Sequence, residues 1–203
     1  MEIPVNEEQL TDLLYQALET EMGGVQVYAA ALRCVQNDEL REEFQKYHEQ
    51  TTGHVHIVQD VFAAFGLDPA TETAGRLVVR HISHSLVQAM EQALEAAPPA
   101  AAELVAAECV VLAETKDHLN WELLGAVVDK LSGERKQALK DAVEQIEKQE
   151  DEHLYHSTGW GRELWMKALG LAAALPPPEE QKHVTSAIGA ARAKNARSEM
   201  AHR

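Results

Sequence analysis

Apolar residues recur at intervals of three and four along four long segments of this chain. In a helix of 3.6 residues per turn, that spacing places the apolar side chains on a single face. No segment shows the alternation of a half-buried strand, and no Asn-Gly or Asp-Gly hairpin turn occurs. The sequence therefore predicts an all-α fold, with long helices over residues 7–36, 39–65, 100–131 and 135–170.

The connections between these helices predict their arrangement. Short turns at 37–38 and 132–134 make each sequential pair antiparallel. Between the pairs lies a long crossover, in which a further helix is expected over 76–96, ended by Pro98-Pro99. Two helical pairs joined by one long crossover are typical of an up-down four-helix bundle.

Length and composition predict one main domain. A chain of 203 residues with 45% hydrophobic composition can bury one good core. We assign residues 1–175 to the bundle, because Pro176-Pro177-Pro178 ends the patterned part of the chain. Residues 176–203 form a polar C-terminal extension, expected to be either a docked final helix or a loose tail.

The charge of the chain excludes several classes of function. A formal net charge of −15 repels phosphate backbones and anionic lipids, so we expect neither nucleic-acid nor membrane binding. There is no secretory signal pattern and no apolar run of the roughly 20 residues that span a bilayer. Cys34 and Cys109 lack metal-site spacing and are expected to be buried thiols. These features predict a cytoplasmic protein.

Each apolar stripe becomes polar near the middle of its helix. Buried carboxylates are costly unless cations or hydrogen-bond donors compensate them, and hard metal ions prefer carboxylate oxygen. Imidazole suits iron, manganese and zinc. We therefore predict a metal site, for which these residues leave iron, manganese and zinc open. The predicted ligands are Glu21 in the first helix, His54 in the second, Glu114 in the third, and Glu150 with His153 in the fourth.

A spacing that occurs in both the first and the third helix supports the prediction that these ligands lie close together. Glu21 precedes Tyr28 by seven residues, and Glu114 precedes Trp121 by the same interval. Two similar helical hairpins related by a pseudo-twofold axis would bring both halves of a site together.

On these residues the chain resembles the ferritin-like di-iron carboxylate superfamily, which includes bacterioferritins, rubrerythrins and manganese catalases. The resemblance covers roughly residues 7–165 and includes the Glu-x-x-His motif Glu150-Asp151-Glu152-His153 in the fourth helix. It implies one or two iron or manganese ions per chain, with zinc as an alternative, and redox chemistry with dioxygen or peroxide, either ferroxidase-like or peroxide-detoxifying. We expect a small homo-oligomer, a dimer, rather than an iron-storage cage.

The second helix departs from that pattern. Thr51 stands where the superfamily has the Glu of a second Glu-x-x-His motif, and His118 and His56 are possible compensating ligands. An asymmetric dinuclear site, a mononuclear site and a degenerate site all remain open. The alternative function is a helical interaction or structural protein that has lost its site. His81 and His84 share one face of the crossover helix but lack a third zinc ligand.

Overall fold

The computed structural model describes residues 4–171 of the chain. This part contains five α-helices and one short 3₁₀ turn, and no strand occurs within it. The helices are α1 (Glu7–Cys34), α2 (Asp38–Phe65), α3 (Ala74–Ala96), α4 (Pro99–Val127) and α5 (Gly133–Ala168), with the 3₁₀ turn at Val128–Lys130.

The helices form the predicted bundle with its crossover. The short connections hold α1 against α2 and α4 against α5, α1 also packs on α4, and α2 also packs on α5. The crossover helix α3 lies across α1 and α4. The all-α prediction is confirmed. The observed helix ends lie within four residues of the predicted ones. The predicted C-terminal extension lies outside the described residues.

Local capping chemistry defines the helix ends. The Asn6 side chain accepts a hydrogen bond from the Gln9 backbone N–H at the start of α1. Asn37 caps α2 in the same way, which satisfies backbone donors that have no partner within the helix. Gly66 ends α2 with φ of 67°, a left-handed conformation that glycine adopts without steric cost.

A polar layer divides the hydrophobic core into two clusters. On α1, Leu18 belongs to one cluster and Val27 to the other, and Glu21 lies between them. On α5, Ile146 and Trp160 are separated in the same way. The interruptions of the apolar stripes therefore meet at one level of the bundle.

Close packing and a buried ion-pair network fix α3 on α1. A side chain at Gly23 would collide with Ser83 of α3, so glycine permits this close approach. Glu19 of α1 is buried and pairs with Arg76 at 2.8 Å and Arg80 at 2.6 Å. Burial alone would raise the pKa of Glu19, but the two guanidinium groups lower it below its ordinary value.

The helices and the two cysteines of residues 4–171 bear on two expectations from the sequence. No helix there has the length and apolar character required for crossing a bilayer. Cys34 and Cys109 are both buried and form no disulfide.

Candidate metal centre

The five predicted ligand residues meet in the polar layer. They form two groups, Glu21–His54–Glu150 and Glu114–Glu150–His153, and both contain Glu150. In each group the ligand atoms lie within 4.8 Å of one another, and every member is buried. Either group could hold a metal ion, and the shared carboxylate places the two groups side by side.

The first group joins α1, α2 and α5. His54 Nδ1 lies 3.3 Å from Glu21 Oε2 and 3.1 Å from Glu150 Oε1. Glu21 and His54 come from the two helices of the first hairpin, which pack against each other. Glu150 then completes the group from α5.

The second group is built almost symmetrically around α4 and α5. His153 Nδ1 lies 3.5 Å from Glu114 Oε2 and 3.3 Å from Glu150 Oε1. Glu150 and His153 are three residues apart, so the helix places both on the same face. The rings of His54 and His153 are stacked, with centroids 5.9 Å apart.

Two glutamines orient the imidazoles from outside. His54 Nε2 donates to Gln149 Oε1 at 2.9 Å, and His153 Nε2 donates to Gln50 Oε1 at 3.0 Å. Each ring therefore directs Nδ1 at the carboxylates, the arrangement that outer hydrogen bonds impose on metal-binding histidines. Each Gln lies four residues before the His of its own helix, on the same helical face, but its partner is the His of the other helix.

The atoms that face one another in the centre lack hydrogen-bond partners. Six such atoms are buried and make no hydrogen bond to any residue in 4–171, despite their short mutual distances. Buried polar atoms without partners are rare and costly, and convergent carboxylate oxygens and imidazole nitrogens are the donor set of iron and manganese sites. The residues present thus fit such an ion. The six atoms are Glu21 Oε2, His54 Nδ1, Glu114 Oε2, Glu150 Oε1, Glu150 Oε2 and His153 Nδ1.

The repeated seven-residue spacing in α1 and α4 corresponds to reciprocal contacts, in which the aromatic residue of each helix lies against the glutamate of the other. Trp121 of α4 donates its indole N–H to Glu21 Oε1 of α1 at 2.8 Å. In the opposite direction, Tyr28 of α1 faces Glu114 of α4. Burial, and next the Glu114 charge, raises the pKa of Tyr28 well above its ordinary value.

The charges of the centre are strongly coupled. Although burial would lower the pKa of both imidazoles, the neighbouring carboxylates raise that of His54 to about 10 and that of His153 to about 9. Burial, and then the Glu150 charge, raises the pKa of Glu114 to about 7. Burial would also raise the pKa of Glu150, but the two imidazolium groups hold it well below its ordinary value. Without a metal, protonated histidines therefore balance the carboxylates.

Thr51 departs from this symmetry. It precedes His54 by one turn, as Glu150 precedes His153, and it is buried with no hydrogen-bond partner for Oγ1 among the described residues. Its methyl group would contact a side chain placed at Gly24, 3.0 Å from the added Cβ. The position lies inside the bundle, as predicted, but it contributes no carboxylate.

The other histidines considered from the sequence are not brought into either group. His118 Nε2 pairs with Asp151 Oδ1 at 2.8 Å, at the edge of the bundle. His56, His81 and His84 are exposed. None of these four residues belongs to a group that could hold a metal within 4–171.

Asp117 is a buried carboxylate that sequence reasoning missed. It is 3% exposed, and Oδ1 has no hydrogen-bond partner among the described residues. Burial, followed by the charges of Glu21, Glu150 and Glu114, raises its pKa well above the ordinary value. Its spacing of three from Glu114 was the available signal, because that spacing puts both on one helical face.

A second buried carboxylate, Glu43 of α2, was also missed. Its Oε1 accepts from Tyr47 at 2.6 Å and from His156 at 2.7 Å, and its Oε2 accepts from Trp160 at 2.6 Å. Burial would raise the pKa of Glu43, but these partners lower it below its ordinary value. The Tyr47 ring also packs on His153, with centroids 4.2 Å apart, which links this Glu43 network to the centre.

Comparison with known proteins gives one family. The sequence profile described as "Domain of unknown function (DUF892)" matches residues 6–111. The match contains Glu21 and His54, and it ends three residues before Glu114. No curated protein and no solved structure gave a significant match. With more than half of its length matched, the chain belongs to the DUF892 family of domains of unknown function.

Proposed function

We propose that this chain is a ferritin-like metalloprotein that binds iron or manganese and reacts with dioxygen or peroxide. The proposed ligands are Glu21, His54, Glu114, Glu150 and His153. The DUF892 family is placed in the ferritin-like superfamily, and this supports the proposal together with the all-helical bundle.

The observation that carries the proposal is the set of six partnerless atoms. The outward-facing atoms Glu21 Oε1, His54 Nε2 and His153 Nε2 are hydrogen-bonded to Trp121, Gln149 and Gln50, whereas the inward-facing atoms of the same three residues have no hydrogen-bond partner among the described residues. A divalent ion between them would compensate the desolvation of three carboxylates. When bound, iron or manganese would supply one-electron redox chemistry toward oxygen species.

The chain's own residues would control how that ion is held. Gln149 and Gln50 keep the Nε2 hydrogens of the two imidazoles, which frees the Nδ1 lone pairs once the Nδ1 protons leave. Because the pKa values of both imidazoles are raised, metal binding at neutral pH must displace protons. Glu150 belongs to both groups and would help to hold an ion in either of them.

Thr51 favours a second candidate function, a helical interaction protein with a degenerate site. Without a carboxylate at residue 51, the centre has three glutamates around its two histidines. A mononuclear site and an asymmetric dinuclear site are compatible with this set.

Elemental analysis of protein purified without chelator, and after anaerobic reconstitution with Fe(II) or Mn(II), separates these functions. If the chain is a metalloprotein, the wild type should contain bound metal, and Glu150→Ala should lose it. The exposed Glu147→Ala on the same helix is the matched control and retains the metal. Protein that binds neither ion would establish the degenerate-site alternative.

Thr51→Glu tests the number of ions. The new carboxylate would lie one turn from His54 and restore a second Glu-x-x-His pair. Metal content should then rise toward two ions per chain. A folded variant with unchanged stoichiometry would show that residue 51 does not reach the metal.

A further inference from the structure

A small cavity lies between α1, α3 and α4, beside the second group of ligands. Its volume is about 30 Å³. The wall is largely apolar, with Val79, Ile82 and Leu86 from α3 and Leu112 and Ala113 from α4. We call this space the α3–α4 pocket.

The floor of the α3–α4 pocket is acidic. Glu114, a proposed metal ligand, and Asp117 both line it. Asp117 is 3% exposed and its Oδ1 has no hydrogen-bond partner within residues 4–171. Lys116 also lines the pocket, but its amine is hydrogen-bonded to Asn120. The unpartnered polar atoms of the lining residues are therefore two carboxyl oxygens, Asp117 Oδ1 and Glu114 Oε2.

The outer end of the pocket reaches the surface between two helices. Ile82 of α3 is 47% exposed and Leu112 of α4 is 60% exposed. By contrast, Val79 is buried and Leu86 is partly buried. The lining therefore runs from exposed apolar side chains to carboxylates beside the centre.

Size and chemistry limit what the pocket can admit. One water-sized molecule needs about 10–15 Å³ of such volume, so about two bonded heavy atoms fit. A hydrated metal ion carries several waters and is too large, and an anion would meet two buried acidic groups. Dioxygen and hydrogen peroxide are neutral and have two heavy atoms each, so both satisfy these limits. Either molecule tolerates the apolar wall and can contact the Asp117 carboxyl group at the floor.

We infer that the α3–α4 pocket is the binding pocket through which dioxygen or hydrogen peroxide reaches the Glu114 side of the centre. Binding of the oxidant in the pocket is independent of the proposed function, but the reaction that follows at the metal rests on it. Asp117 acts as the polar contact that holds the ligand at the inner end.

The first experiment uses the metal-free chain and therefore does not depend on the proposed function. Methyl NMR under oxygen pressure measures how strongly dissolved dioxygen, which is paramagnetic, speeds relaxation at each methyl group. We expect a larger effect at Val79 and Leu86 than at Leu139 and Ile146, which are buried outside the pocket. Equal effects at all four residues would overturn the inference.

Ala113→Leu fills the pocket from α4 and should abolish the extra relaxation at Val79 and Leu86. The control is Ala126→Leu, at an exposed position of the same helix and outside the α3–α4 pocket. Should Ala113→Leu fail to fold, Ile82→Trp narrows the mouth from α3 and makes the same test. Retention of the extra relaxation in a folded variant that fills the pocket would contradict the inference.

The second experiment uses Fe(II)-loaded protein and separates the two oxidants. Stopped-flow oxidation by dioxygen and, separately, by hydrogen peroxide should slow about tenfold in Ala113→Leu, within the range over which mutations at one site change association rates. Metal content should stay unchanged. Slowing with only one oxidant identifies that species as the ligand, whereas unchanged rates with both overturn the inference. Failure to bind iron at all would instead refute the proposed function, and the NMR result would still decide the pocket.

Discussion

Glu43 and Glu150 are both buried carboxylates, but the cost of burying them is compensated in different ways. Glu43 is surrounded by Tyr47, His156 and Trp160, which occupy both of its oxygens. Glu150 is buried even more completely, and neither of its oxygens has a hydrogen-bond partner among the described residues. The two sites are in contact through Tyr47 and His153. They therefore lie in the same part of the bundle and differ in the side chains that face each carboxylate.

The contrast teaches how to separate structural from ligand-binding carboxylates. A buried carboxylate with donors on both oxygens stabilises the fold by itself. One whose oxygens face other acids and imidazole nitrogens depends on a cation, which is either a protonated histidine or a bound metal ion. The Glu43 network should therefore stabilise the chain equally with and without metal, whereas the candidate metal centre should gain stability when a metal ion is bound.

The largest expected effect is the loss of the Glu43 network. Glu43→Gln keeps the shape but removes the charge and places donors against donors. We expect the free energy of unfolding of the metal-free protein to fall by about 3 kcal/mol or more. Chemical denaturation measures this, with the exposed neighbour Glu42→Gln as control. A Glu43→Gln variant as stable as its control would remove the contrast between the two sites.

The next effect is stabilisation by metal. A ligand at 100 times its dissociation constant adds about 2.7 kcal/mol when it binds only the folded state. Thermal unfolding with and without Mn(II) or anaerobic Fe(II) should show this gain in the wild type and in Glu43→Gln. Glu150→Gln should lose it. Equal gains in Glu150→Gln would mean that the metal binds elsewhere.

A smaller effect of opposite sign is expected for Glu114 in the metal-free protein. Its pKa, raised to about 7, means that ionisation of Glu114 disfavours the folded state. The stability of the wild type should therefore decrease as pH rises from about 4.5 to 7, because the folded state binds more protons in that interval. Glu114→Gln should flatten this decrease and raise the free energy of unfolding at neutral pH. Denaturation curves across that range test the sign, and a steeper slope in the variant would contradict it.

The smallest effect is expected on the acid side, where Glu43 acts. Its lowered pKa gives stability that is present above the ordinary value of 4.5 and disappears as pH falls through the folded-state pKa. The stability difference between wild type and Glu43→Gln should therefore shrink below pH 4.5. The Glu42→Gln control should show no such convergence. A difference that stays constant on acidification would assign the effect of Glu43 to packing rather than charge.

Much of the fold was predictable because the signals are local. Helical periodicity and end signals such as Asn6 and Gly66 act within a few residues. Glu150 and His153 were predictable as neighbours for the same reason, since their spacing alone puts them on one face. The convergence of Glu21, His54 and Glu114 with them followed from the shared level of the polar interruptions.

Other parts of the site depend on contacts between distant segments. Gln50 and Gln149 orient histidines on opposite helices, and the partners of Glu43 include His156, 113 residues away. No spacing along the chain encodes which side chain will meet another across the bundle. The sequence therefore predicted an inner carboxylate layer without distinguishing satisfied oxygens from partnerless ones.

The sequence by itself determined an all-α bundle, its crossover and the level at which polar residues enter the core. These properties follow from helix periodicity and the cost of burying charge. Only the tertiary structure decided that Glu150 belongs to both ligand groups, that Thr51 leaves the arrangement asymmetric, and that Asp117 lines a cavity beside α3. Those outcomes depend on how helices from separate parts of the chain dock, which is a property of three-dimensional packing rather than of any local pattern.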